Sequence, residues 1–346
     1  MRAPRPLRRV RAWFRRSRVS RRWERRGLQL RAWRKRGELT AVTDRTSAMP
    51  QGPIAITVLR NEAVRLPFFL DYYRRLGIVH FLMVDNGSTD GSAELLTAQP
   101  DVSLWRARGS YKASQFGVDW VNWLLGSHAK GRWILCVDPD EFLVYPHCGT
   151  RRLPALIRWL EQTGRRSFGT LLIDLYGKGP LSATRYQTGE NPMDIAPWFD
   201  AHNYLVERHN RYHNLWIQGG PRMRVYAAQD PAAAPALNKT PLVKWAAGTV
   251  FVTSTHNLLP QALNHTYARD GGAMTSGALM HSKFLDTLPD KVAEELERRE
   301  HYSGGREYES YAQAGEEAVL WTPSSTRYEG WRQLEDLGLI ARGGWF

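Results

Sequence analysis

The sequence predicts an α/β fold: a mainly parallel sheet with helices on both faces. Three observations carry that prediction. Short, β-branched apolar runs of strand length alternate with longer stretches at helical spacing. The links between them are short, as in βαβ units, whose crossovers cover both faces of a sheet. Three of the runs end in polar clusters: Arg60-Asn61-Glu62, Asp85 to Asp90, and Asp138 to Glu141. In a parallel sheet, ligands bind beyond the carboxyl ends of the strands, so clusters there can share one site.

Size and composition agree. The 346 residues are 42% hydrophobic and 11% aromatic, enough for one large α/β domain with additions and too apolar for global disorder. The formal net charge of +14 is concentrated at one end. Between Arg2 and Arg36, 15 Arg and one Lys face a single acid, Glu24, which leaves the remaining residues close to neutral. A basic binding face on the domain is therefore not expected, nor is a specific nucleic-acid partner.

Taken in order, residues 1–50 read as a basic arm and linker. Leu7, Val10, Trp13 and Phe14 recur at helical spacing among arginines, which suits contact between residues 1–36 and an anionic membrane. A solvated cationic tail and non-specific nucleic-acid contact are the alternatives. Residues 38–53 read as a linker ending in Met49-Pro50-Gln51-Gly52-Pro53. Residues 51–285 form the predicted α/β domain. Strands are expected at 54–59, 79–84, 102–105, 132–137 and 168–173. Helices are expected at 66–76, with Pro67 at its start and Gly77 at its stop, and at 93–98, 114–125 and 153–162. Residues 175–285 are less regular. Residues 286–346 read as a C-terminal helical extension, with charged surface helices at 287–300 and 306–318.

Two cysteines, Cys136 and Cys148, make neither a disulfide framework nor a zinc set. No apolar stretch reaches membrane-spanning length, and no apolar segment follows the N-terminal charges as in a secretory signal. The expectation is a cytoplasmic protein whose arm can dock it at the inner face of the plasma membrane.

Several clusters can carry chemistry. Asp138 and Asp140 place two carboxylates at the end of a buried strand. Mg²⁺ or Mn²⁺ takes oxygen ligands and keeps some water and phosphate oxygens, so the pair suits a metal bound with a diphosphate. A solvated turn is the plainer alternative. In DNGSTDGS, Asp85 can accept from a base N–H, and Asn86 and Ser88 can bind ribose or phosphate oxygens. An Asx turn with Thr89 or Asp90 capping the next helix is compatible with that reading. Arg222 and Arg224 in GGPRMRV can grip phosphates, or belong to a solvated strand face.

The series NEAVRLPFFLDYYRRLG, VDNGSTDGS and VDPDEFL resembles family 2 glycosyltransferases of the GT-A fold, in the bacterial branch with the pattern NE…LP…YY…LG…DNGSTDGS…DxDEF. The match covers about residues 54–145. It continues more weakly to about 310 through GGPRMRVY, KTPLVKW, STHNLLP and HSKF. The resemblance implies a nucleoside-diphosphate sugar donor, a glycan or lipid-linked acceptor, and Mn²⁺ or Mg²⁺. It implies that Asp85 contacts the base, Asp138 the sugar or ribose, and Asp140 the metal. Asn61 and Glu62 would line the nucleotide pocket, and Tyr111, Lys112 and Gln115 would approach donor phosphate or sugar. A late histidine is a frequent further metal ligand in such enzymes; His281 is the first candidate and His256 the second. An inverting transfer needs a carboxylate base, for which Asp200, Asp174 and Glu141 are candidates. A sugar nucleotidyltransferase is the rival enzyme reading. It calls for a Gly-rich basic loop after the first strand, where this chain has RNEAVRLP.

Overall fold

The computed structural model describes residues 18–267, 274–298, 300 and 306–346. The apolar stripe at residues 7–14, read as a membrane-facing helix, lies outside them. In chain order the strands are β1 (Leu39–Thr43), β2 (Ile54–Leu59), β3 (His80–Asp85), β4 (Val102–Ala107), β5 (Trp133–Cys136), β6 (Glu141–Val144), β7 (Ser167–Tyr176) and β8 (Trp198–Phe199). They continue with β9 (Leu205–His209), β10 (Asn214–Gln218), β11 (Asn238–Lys244), β12 (Val250–Thr253), β13 (Asn257–Leu259), β14 (Gly277–Phe284) and β15 (Thr326–Arg327). The main sheet runs β1-β4-β3-β2-β5-β11-β7-β14-β6, with β8 and β15 attached beside β7. The block β4-β3-β2-β5 and the pair β7-β14 are parallel. Antiparallel strands are added around them.

Burial explains the composition of the parallel block. All six residues of β3 are buried, and β2 buries all but one. Strands covered on both faces read as continuous apolar runs rather than alternating ones. The covering helices are α1 (Arg18–Lys35), α2 (Leu66–Leu76), α3 (Ser92–Thr97), α4 (Val118–His128), α5 (Leu153–Gln162), α6 (Pro192–Ile195), α7 (Leu288–Arg298), α8 (Arg306–Ala314) and α9 (Trp331–Asp336). Phe69 and Tyr73 of α2, with Leu156 and Leu160 of α5, join one core with Phe81 and Leu135. Trp120 and Leu124 of α4 join the core on the other face, with Leu82, Ile134 and Trp245. Pro67 sits in the first turn of α2, and Gly77 ends the helix in the left-handed region, as its sequence suggests. α4 starts four residues later than hydrophobic spacing predicts. Gln115, Phe116 and Gly117 all have positive φ, which no helix continues through. At Gly117 a Cβ would also approach Val58 to 2.9 Å.

Three sequence expectations are corrected. First, residues 38–53 are not simply a linker. Leu39–Thr43 adds β1 antiparallel to β4, closing an edge that would otherwise present unpaired backbone groups. α1 packs on α4, where Arg31 Nε donates to both Asp119 oxygens at 2.9 and 3.0 Å. Second, a strand, β6, follows the DPD sequence directly. Residues 137–140 carry the chain from β5 at the centre of the strand order to β6 at its end. Third, α7 and α8 are not plain surface helices. Leu288, Val292, Tyr308 and Tyr311 pack with Tyr176 and Phe284 of the sheet.

Candidate functional site

The loops after β2 and β3 are stitched to each other. Asn61, at φ 51°, donates its N–H to Ser88 Oγ at 2.9 Å and accepts from Thr89 N–H at 2.8 Å. Glu62 N–H donates to Ser92 Oγ and Ala63 N–H to Asp90, at 2.9 and 2.8 Å. Asp85 Oδ1 accepts from Ser88 N–H, three residues on, at 2.9 Å; the Asx turn, a bond two residues on, forms at Asp90, whose Oδ1 accepts from Ser92 N–H at 3.0 Å. Gly91, not Thr89 or Asp90, occupies the N-cap of α3. Asp85 is fully buried, and its Oδ2 has no hydrogen-bond partner; Arg106 Nε lies 3.8 Å away. The predicted donor-side residues Asn61 and Ser88 thus spend their polar groups within the protein, on the loops and, through Asn61 Nδ2, on Glu294 of α7 at 2.8 Å.

Register brings the rest together. His281 of β14 lies opposite Asp174 of β7 on one side and Glu141 of β6 on the other. Ser282 N–H donates to the Asp140 carbonyl at 2.8 Å, fixing the DPD turn against β14. His281 Nε2 is then 3.2 Å from Asp140 Oδ2, and its Nδ1 is 2.6 Å from Asp174 Oδ1. The chain of charges goes on: Arg222 Nε lies 2.8 Å from Asp174, Arg222 Nη1 3.6 Å from Glu307, and Lys283 Nζ 3.3 Å from Glu307.

Of these residues, Asp140, His281 and Lys283 border a cleft of about 190 Å³ at the carboxyl ends of the parallel strands. Its acids are Glu62, Asp138, Asp140 and Glu295; its cations are Arg60, Arg65, Lys283, Lys291 and Arg298, with Asn86, Tyr111, His281 and Tyr308 beside them. Burial opposes ionisation of Asp140, yet His281, Arg65 and Lys283 outweigh it and hold the carboxyl well below its usual range. Burial likewise disfavours imidazolium at His281, but Asp140 and Asp174 raise its pKa to about 9. Asp138 stays 57% exposed, with Lys239 Nζ 3.6 Å from it.

Among the described residues no group of three or more His, Cys, Asp or Glu side chains is disposed to hold a metal ion. Asp140 and His281 are two neighbouring donors. A hard cation that completes its shell with water and phosphate oxygens suits such a pair.

Several sequence candidates fall outside this cleft. Glu141 is buried and paired with Lys239. Asp174 is fixed between His281 and Arg222, and Asp200 between Arg224 and the Tyr176 hydroxyl. All three therefore lack the free, accessible oxygen that a base requires. Arg222 is committed to Asp174 and Glu307 rather than to a phosphate. His256 is held by the Asn238 carbonyl at 2.6 Å, and burial, with Lys239 nearby, lowers its pKa to about 4. Lys112 and Gln115 are exposed and do not border the cleft.

Sequence reasoning missed Lys283, Lys291 and Arg298. One signal was there: Lys291 and Arg298 are seven apart, hence on one helical face. Lys291 Nζ donates to the Arg60 and Asn61 carbonyls at 2.7 and 2.6 Å and lies 2.8 Å from Glu62. Arg298 donates to Asn86 Oδ1 at 3.0 Å.

No family model matches the chain. Over 135 residues it is 27% identical to a glycosyltransferase family 92 protein of Oryza sativa subsp. japonica. That overlap is 37% of this chain and 22% of the relative, so the match spans about a fifth of the relative's length. A solved 4-diphosphocytidyl-2C-methyl-D-erythritol synthase overlaps 41% of this chain and 66% of its own, at 20% identity and a TM-score of 0.25. A Bacillus anthracis protein assigned as a glucose-1-phosphate thymidylyltransferase overlaps 40% and 65%, at 9% identity and a TM-score of 0.23.

Proposed function

We propose that this protein is a glycosyltransferase that takes a sugar from a nucleoside diphosphate donor with the help of Mn²⁺ or Mg²⁺. One observation carries the reading. Asp140 and His281 share a cleft with Arg60, Arg65, Lys283, Lys291 and Arg298, at the carboxyl ends of parallel strands. A diphosphate bound with a divalent cation matches that mixture of two metal donors and several cations. The leaving nucleotide gains charge as the sugar departs, and positioned cations stabilise charge where it develops. The glycosyltransferase name of the plant relative agrees with this chemistry. Family 2, with its bacterial motif series, is the finer part of the proposal.

Asp140 and His281 would hold the metal, and Asp174 would orient the imidazole through Nδ1, as second-shell carboxylates do. The unpartnered Oδ2 of Asp85 suits an N–H of the base. Asp138, exposed at the rim, would take sugar or ribose hydroxyls. The acceptor is proposed to be a glycan or a lipid-linked precursor.

The test is calorimetry with a panel of nucleoside diphosphates in Mn²⁺. One of them should bind, and at a hundredfold excess over its Kd should stabilise the fold by about 2.7 kcal/mol. Asp140→Asn should lose the metal-dependent part while its circular dichroism is unchanged. Equal binding in EDTA would remove the metal from the proposal; no binding by any diphosphate would remove the donor. Release of pyrophosphate from a nucleoside triphosphate and a sugar 1-phosphate would favour the nucleotidyltransferase reading instead.

A further inference from the structure

We infer that α1 is an interfacial helix that lies on an anionic bilayer surface while anchored to the fold by its opposite face. Trp23, Leu30 and Trp33 are 63%, 47% and 48% exposed, which is unusual for three large apolar side chains on one helix. At 100° per residue they fall within a third of the helix circumference, and Arg22, Arg26 and Arg34 fall on the same arc. These three arginines are exposed as well. The Arg26 guanidinium lies 5.6 Å from the Trp23 ring, and that of Arg36 lies 3.9 Å from Trp33.

The opposite face is committed to the protein. Ala32 is buried, Arg31 grips Asp119, and Leu28 packs beside Tyr212 and Val250. The helix's one acid, Glu24, also turns inward, where Arg211 and the Tyr212 hydroxyl lie 2.7 and 2.8 Å from it. The outward arc is thus cationic and aromatic, with no acid.

Charge selects the occupant. Indole rings favour the headgroup level of a bilayer, and guanidinium groups bind lipid phosphates bidentately. The preceding 17 residues add seven arginines and no acid, extending the same charge. No helix among the described residues is long and apolar enough to cross a membrane, so the contact is peripheral. The helix also ends near the cleft. Lys35 Nζ is 2.6 Å from Glu38, whose carbonyl accepts from Arg108 N–H, and the next carbonyl, Gly109, accepts from Asn86 at the cleft wall. A bilayer under α1 would lie beside the cleft.

The experiment uses the full chain and phosphatidylcholine vesicles with or without phosphatidylglycerol. The wild type should sediment with the anionic vesicles, be partly released by salt, and show tryptophan quenching by brominated lipid. The Trp23→Ser, Leu30→Ser, Trp33→Ser variant should keep its melting temperature, lose that added quenching, and partition about tenfold more weakly, because the apolar part of interfacial binding is gone. Arg22→Gln, Arg26→Gln, Arg34→Gln should weaken binding to anionic vesicles only. Unchanged sedimentation of the serine variant, or equal wild-type binding to neutral vesicles, overturns the inference. Self-association of the wild type abolished by the serine substitutions would assign the face to a second copy and overturn it too.

Discussion

Lys239 and Glu141 show how much a single buried pair can decide. Both side chains are nearly inaccessible, and Lys239 also faces Asp138 across 3.6 Å. Two charges taken out of water are tolerated because they meet; one left alone is not. Lys239→Met should therefore cost about 3–5 kcal/mol in urea unfolding. Adding Glu141→Leu should restore most of it, since an apolar pair of similar volume needs no counter-charge. A double variant as unstable as the single one would show that the lysine acts through packing. The same pairing decides how accessible Glu141 is. Its position directly after the DPD turn suggested chemistry, whereas its side chain neutralises the lysine beneath that turn.

At the scale of elements, α7 is the part most altered by folding. Its sequence, LPDKVAEELER, carries six charged residues and reads as solvent-facing. Folded, it buries Leu288 and Val292 and turns Lys291, Glu295 and Arg298 to the cleft. Arg298→Ala should weaken binding of the donor nucleotide by about 1.5–3 kcal/mol, the range for hydrogen bonds involving a charged group, with little effect on melting temperature. Lys291→Ala should weaken it as well and also loosen the Arg60–Asn61 loop, visible as faster amide exchange there. Calorimetry giving wild-type affinity for both variants would separate α7 from the site.

Across the whole molecule, the ionic chain from Asp140 to Lys283 ties the sheet to α8 through Glu307. Burial opposes ionisation of Glu307, but Lys283 and Arg222 prevail and hold its carboxyl well below the ordinary value of 4.5. The unfolded chain then takes up this proton more readily than the folded one. The stabilisation is full above about pH 4.5 and is lost as pH falls through the lowered folded value. Urea midpoints taken from pH 7 down to 3 should fall for the wild type. Glu307→Gln should start lower and lose less over that range; parallel curves would contradict the assignment. The N-terminal segment is equally part of the fold. Removing residues 1–50 takes away β1 and leaves Asp119 buried without Arg31. That truncation should cost about 3–5 kcal/mol for the unpaired carboxylate alone, and it should aggregate more readily through the bared edge of β4.

What the sequence determined by itself was local and periodic. The apolar runs marked β2, β3, β4, β5 and β7, Pro67 and Gly77 bounded α2, and the polar clusters at strand ends marked where a ligand would meet the sheet. These follow from short-range rules: burial on both faces, fixed φ at proline, free φ at glycine. Only the tertiary structure decided which charges meet. His281 reaches Asp140 and Asp174 because β14 lies between β6 and β7 in one register, across sequence separations of more than a hundred residues. The same distant pairing took Asp174, Asp200 and Glu141 out of reach as bases, turned a polar helix toward the cleft, and drew a supposed linker into the sheet. Charge neutralisation depends on spatial neighbours, and sequence spacing says little about those once the chain crosses between strands that are not consecutive.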